Sequence, residues 1–135
     1  MSQENVEIIV GHFENTNARN FTAVMDTYAE DVVLSVHGDH WMLLGDGGVG
    51  KEAVGAWFGE WFATFERDYR FEVHEARDFG EQVLIVATHH GRGRASGAPS
   101  TLTAAWIYTL RDGKIVRCDM FGEPSEGLKA VGLAE

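Results

Sequence analysis

The sequence predicts an α+β domain in which helices cover one face of a strongly curved sheet, and three observations carry that expectation. Apart from a short helical tail, helical periodicity is confined to the first half of the chain. Successive β-patterned runs then fill most of the stretch from Tyr69 to Phe121. Asp112-Gly113 lies between the last two of these runs, and Asp-Gly between apolar segments is among the strongest local signals for a β-hairpin, because the turn needs positive φ.

Over residues 2–15 the apolar Val6, Ile9, Val10 and Phe13 recur at helical spacing, with Ser2, Glu4 and Asn5 supplying polar N-terminal character. The polar run 15–20 breaks this helix. A second helical pattern passes from Phe21 through Val24, Met25 and Tyr28 to Ala29, closed by Glu30 and Asp31. Residues 32–37 are rich in β-branched side chains and read as a strand. Residues 38–50 carry five glycines around a short apolar patch, which suits an irregular, pocket-covering flap. The third helix is expected over 51–67, with Val54, Trp57, Phe58, Trp61, Phe62 and Phe65 in a broad aromatic stripe. Strands follow at 69–76, 82–92, 101–110 and 115–121, and a short helical tail ends the chain. Residues 91–100 are small and polar enough for a hairpin tip. No internal repeat interrupts the pattern.

Composition sets the limits. The 135 residues, 44% of them hydrophobic, are the size of one domain, 1–135, with a real core. A net charge of −10 argues against nucleic acid and against an anionic membrane surface, both of which reward clustered Lys and Arg. The single Cys118 excludes an intrachain disulfide and a Cys-rich zinc site. No segment approaches the roughly twenty apolar residues of a membrane span, and the N-terminus carries no targeting pattern. Cytoplasmic residence is the expectation.

The segment Asn20-Phe21-Thr22-Ala23-Val24-Met25-Asp26-Thr27-Tyr28-Ala29-Glu30-Asp31-Val32 resembles a second helix entering the first strand of the nuclear transport factor 2-like superfamily, in its SnoaL-like branch. Gly50-Lys51-Glu52-Ala53-Val54 resembles that family's third-helix start. The ending, with Leu110-Arg111-Asp112-Gly113-Lys114-Ile115-Val116-Arg117 followed by Glu126-Gly127-Leu128-Lys129-Ala130-Val131-Gly132-Leu133, resembles a subgroup of bacterial SnoaL-like proteins. The resemblance implies a cone-shaped, cystatin-like fold: a curved antiparallel sheet wrapped around N-terminal helices, an apolar cavity, and a homodimer formed through the outer face of the sheet. It also implies work without a cofactor or metal. Such folds serve isomerases, cyclases, epoxide hydrolases and non-catalytic binding proteins, so the chemistry must come from the site.

Ketosteroid isomerase, a worked example of a base paired with a protonated acid, needs a carboxylate base and an oxyanion hole of Tyr and Asp. Ungapped registers put Val36, Phe13 and Thr103 at those positions, and none can do the job, so steroid-type isomerisation is not expected unless His37 replaces the base through a register shift. The epoxide-hydrolase pattern, an Arg flanked by two acids, resembles Arg117-Cys118-Asp119-Met120-Phe121 only with a one-residue shift; without it Met120 takes the acid position. The remaining polar set is Asp119, His37, His90 and Arg92. His89 and His90 must point to opposite faces of their strand, so only one can enter a cavity, and His90 shares its face with Arg92. A His beside an Arg suits proton transfer with a stabilised oxyanion. An acid such as Asp119, if buried, suits a proton donor or base. His12, between apolar neighbours, reads as packed or capping. Histidines 37, 40, 74, 89 and 90 lack tight metal-ligand spacing, and no metal site is expected. The expected lining is Phe13, Tyr28, Trp41, Trp57, Phe58, Trp61, Thr103 and Met120. Two readings stand: a cofactor-independent acid/base enzyme on an apolar ring-containing substrate, or a small-ligand-binding accessory protein.

Overall fold

The computed structural model describes residues 2–37 and 47–131. Four helices, α1 (Ser2–Asn17), α2 (Phe21–Asp26), α3 (Lys51–Ala63) and α4 (Pro124–Ala130), accompany six strands. These are β1 (Tyr28–His37), β2 (Gly47–Val49), β3 (Arg70–Phe79), β4 (Gln82–Arg92), β5 (Pro99–Arg111) and β6 (Lys114–Phe121). They form one curved sheet in the order β2-β1-β6-β5-β4-β3. Pairing is antiparallel except between β1 and β6, which run parallel.

Local chemistry explains most boundaries. Arg19 takes a left-handed φ of 64° after α1, and the Asn20 side chain accepts the Ala23 N–H to cap α2. That helix stops at Asp26, short of the expected Ala29, because the sheet claims the backbone: Ile115 N–H donates to Thr27 O at 2.8 Å and Tyr28 pairs with Ile115. β1 accordingly begins at Tyr28 rather than Val32. α3 ends at Ala63, before the expected Arg67, where Phe65 bridges Gly93 and draws the chain onto the sheet. The flap expected over 38–50 contributes β2 and the Gly50 turn into α3; residues 38–46, which include His40 and Trp41, lie outside the described residues. In the β5–β6 hairpin, Asp112 and Gly113 have φ of 52° and 76°, the two positive values that a type I′ turn demands.

The sheet is buried on both faces. On the inner face Val83, Ile85, Ala87, Ala104, Trp106, Tyr108, Cys118 and Met120 belong to one core with Ile9 and Phe13 of α1 and Val54 and Trp57 of α3. On the outer face Leu84, Val86, Ala105 and Ile107 lie under Leu128 and Val131 at the α4 end. Register shifts in β3, near Val73, and between β5 and β6, near Thr109, accompany the bend that lets the helices sit in the concavity.

Candidate functional site

The concave side of the sheet and helices α1, α2 and α3 enclose a cavity of about 330 Å³. Its walls are aromatic: Phe13, Phe58, Phe62, Phe71 and Trp106, with Phe13 packed edge-on against Phe71 and Trp106 at centroid distances of 5.2 and 5.6 Å. Among the described residues its polar lining comes from His12, Thr16, Tyr28 and Tyr108, all buried, and no lining side chain carries a charged group at neutral pH. The rim is Phe21, 41% exposed, whose ring lies 5.7 Å from that of Phe62.

The α1 helix sets the polar end. His12 and Thr16 lie four residues apart, on one helix face, and the Thr16 hydroxyl donates to the His12 carbonyl at 2.9 Å. His12 Nε2 lies 3.4 Å from Tyr28 Oη, and the His12 ring packs edge-on against Tyr28 and Tyr108. Burial lowers the His12 pKa to about 4, so the imidazole is neutral at pH 7. Its Nδ1 is buried and finds no hydrogen-bond partner among the described residues. Burial pushes the Tyr28 and Tyr108 hydroxyls well above their usual range, with the neighbouring Cys118 adding to the shift, so both stay protonated. The arrangement offers neutral donors and acceptors to an oxygen-bearing group while the rest of a ligand meets ring faces and edges.

Of the residues expected to line a pocket, Phe13, Tyr28 and Phe58 do so. Trp57 is buried in the core instead, on the sheet-facing side of α3, and Met120 is buried beneath the inner face of the sheet. Trp61 is partly buried and donates Nε1–H to Tyr69 Oη at 2.8 Å. Thr103 lies on the outer face, because the alternation of β5 turns Leu102, Ala104, Trp106 and Tyr108 inward; its hydroxyl lies 2.6 Å from that of Thr88. Trp41 lies outside the described residues.

The four polar candidates fall on the outer face. His37 Nε2 lies 3.1 Å from Asp119 Oδ1, and the Arg117 guanidinium donates to both Asp119 oxygens at 2.9 and 3.0 Å and to Ser35 Oγ at 3.0 Å. The His37 ring stacks on Phe121 at 4.5 Å. His90 Nε2 pairs with Glu72 Oε1 at 2.9 Å, and Arg92 donates to the Gly97 carbonyl at 2.7 Å. It is His89 that turns inward, held by Tyr69 Oη at Nδ1 and Ser100 Oγ at Nε2 (3.1 and 3.0 Å), with burial lowering its pKa to about 4. Nothing in the sequence pattern marks Tyr108 as a cavity group, and for His12 the helical spacing with Thr16 is the available signal. Among the described residues no group of three or more His, Cys, Asp or Glu is placed to hold a metal ion.

A strongly bent six-stranded sheet closed on one side by helices around a small apolar cavity defines the nuclear transport factor 2-like class of α+β proteins. Residues 9–118 match the SnoaL-like domain, and the chain belongs to that family. Among solved structures it is similar to TerC co-crystallised with polyporic acid, at 19% identity over 93% of this chain and 96% of the other, with a TM-score of 0.76. It is also similar to a candidate SnoaL-like polyketide cyclase from Jannaschia sp. CCS1, at 18% identity over 89% and 85% of the two chains, TM-score 0.77. A protein with a ketosteroid isomerase-like fold from Catenulispora acidiphila DSM 44928, in complex with trimethylamine, shares 21% identity over 94% and 93%, TM-score 0.73. No curated protein matches the chain. No helix of the described residues is long and apolar enough to cross a membrane.

Proposed function

We propose that the chain, a single SnoaL-like domain, binds a small, largely apolar, ring-containing molecule in the cavity, with an oxygen of that molecule set against Tyr28 and His12. The observation that carries this reading is the segregation within the cavity: aromatic walls, and neutral polar groups gathered on buried His12, Thr16, Tyr28 and Tyr108. A charged ligand would be stripped of water there without a counter-charge from any described lining residue. The small organic molecules crystallised with TerC and with the Catenulispora protein support small-ligand binding by this fold.

A second reading is cofactor-independent acid/base turnover of the isomerase, cyclase or epoxide-hydrolase type. It is favoured by the neutral His12 imidazole standing beside the Tyr28 hydroxyl, a proton acceptor next to a donor. The polar set Asp119, His37, His90 and Arg92 would serve a site on the outer face, where the family resemblance supports pairing of two subunits.

A panel of neutral cyclic ketones, lactones and epoxides, read by thermal shift and then by calorimetry and product analysis, tests both. A binder whose affinity falls about tenfold in Tyr28→Phe, the loss of one hydrogen bond, is the expected result. No binder in the panel, or one indifferent to Tyr28→Phe, overturns the cavity reading; product formation that Tyr28→Phe and His12→Gln abolish establishes turnover.

A further inference from the structure

Gly59 stands in the middle of α3, on the wall of the cavity, and is itself exposed. A Cβ built there meets nothing within 4 Å, and its φ lies outside the left-handed region. Neither strain nor close packing therefore asks for glycine, while a helix interior is weakened by it relative to alanine. One turn earlier, Gly55 also lines the cavity, but there a Cβ would come within 2.7 Å of Met25 Cε, so this glycine seats a flexible side chain from α2. Phe21, also from α2, completes the rim; among the described residues the only other large hydrophobic side chain so exposed is Val49, which does not line the cavity. A notch between α2 and α3 thus joins solvent to the aromatic cavity, floored by bare backbone at Gly59 and flanked by Phe21 and Met25.

We propose that this notch is the portal through which the ligand enters, and that the missing side chain at Gly59 sets the width of what passes, admitting neutral fused-ring molecules as well as linear ones. A straight alkyl chain slides past a methyl group as readily as past a hydrogen; the edge of a fused ring system does not. The exposed Phe21 ring narrows the passage at the rim. This inference rests on the cavity reading and goes beyond it in naming the entrance and the shape it admits.

The test compares the neutral naphthalene ketone fluorophore prodan with undecanone, a straight-chain ketone, by stopped-flow association and competition. Gly59→Leu is expected to slow prodan association about tenfold or more while undecanone stays within about twofold of the parent protein. Gly59→Ala is expected to raise the melting temperature and slow prodan by a smaller factor, which separates entry from helix damage. Phe21→Ala, at an exposed site, is expected to speed prodan entry several-fold and guards against a Gly59→Leu chain that fails to fold. Equal slowing of both probes, or no slowing of prodan, overturns the portal. A parent protein that binds neither probe overturns the cavity reading itself, and the portal with it.

Discussion

The carboxylate of Asp119 lies 3.1 Å from Nε2 of His37, on the face of the sheet turned away from the cavity. The parallel register of β1 and β6 brings this about: Ser35 stands opposite Asp119 and His37 opposite Phe121, so the polar side chains of both strands share one face. Arg117 grips the same carboxylate through two bonds, and Asp119 in turn holds the guanidinium pKa above its usual value. Because Arg117 and His37 are largely exposed, the cluster contributes modestly to stability. Asp119→Asn is expected to cost about 1 kcal/mol in urea denaturation and to leave cavity binding unchanged. Loss of ligand binding or turnover with the fold intact would instead move the working site to the outer face.

Both His12 and His89 are buried neutral, with folded pKa values of about 4 against an ordinary value of 6.5. Between those limits the unfolded chain binds more protons than the folded one, so the stability they protect is complete above about pH 6.5 and drains away as pH falls towards 4. Each histidine adds a slope of up to about 1.4 kcal/mol per pH unit in that window. Denaturation midpoints measured from pH 7 to pH 4.5 should fall steeply, and His12→Phe should remove about half of the histidine contribution. An unchanged slope in that variant would mean that His12 is not the buried neutral group described.

Cys118 is expected to be inert. Its thiol is fully buried on the inner face and burial raises its pKa far above the ordinary thiol range, with Asp119 adding in the same direction. Labelling by a thiol reagent at pH 8 should therefore proceed only as fast as the chain opens, and should accelerate in step with added urea. Fast labelling of the native protein would place the sulfur at an accessible site.

Much of the fold was legible in the sequence, and the failures have physical causes. β4 was delimited at Gln82 and Arg92, as observed, and Asp112-Gly113 forms the turn that its residue types require. The second helix was read too long because Val24, Met25 and Tyr28 keep helical spacing; the pairing of Tyr28 with Ile115 overrides it, a contact made across the length of the chain. The parallel β1–β6 pairing, equally non-local, left no local trace. The choice between His89 and His90 stayed open because residues 83–88 are apolar or small throughout, covered inside by the helices and outside in part by α4, so the strand lacks the alternation that names its faces. The cavity itself is a property of three elements meeting, and His12 is distinguished from an ordinary packed side chain only by Tyr28 and Tyr108 beside it.

α4 packs closely on the outer face of the sheet. Gly127 sits on Ala105: a Cβ added to it would lie 2.6 Å from Ala105 Cβ and 3.7 Å from Leu84 Cδ1, and neither the methyl of alanine nor the strand beneath it can swing aside. α4 must then lift, which loosens Leu128 and Val131 from Leu84, Val86 and Ile107. Gly127→Ala removes a glycine from a short helix, a change that would stabilise an exposed one, so the two effects oppose each other. The overpacking cost of about 1–3 kcal/mol outweighs the propensity gain of about 1 kcal/mol. The expected result is a net loss of stability with increased amide exchange confined to α4 and the outer side of β5, while ligand binding in the cavity on the other face is preserved. The double variant with Ala105→Gly should recover most of the loss, since it removes the one atom that collides; failure to recover would locate the cost in the helix backbone instead.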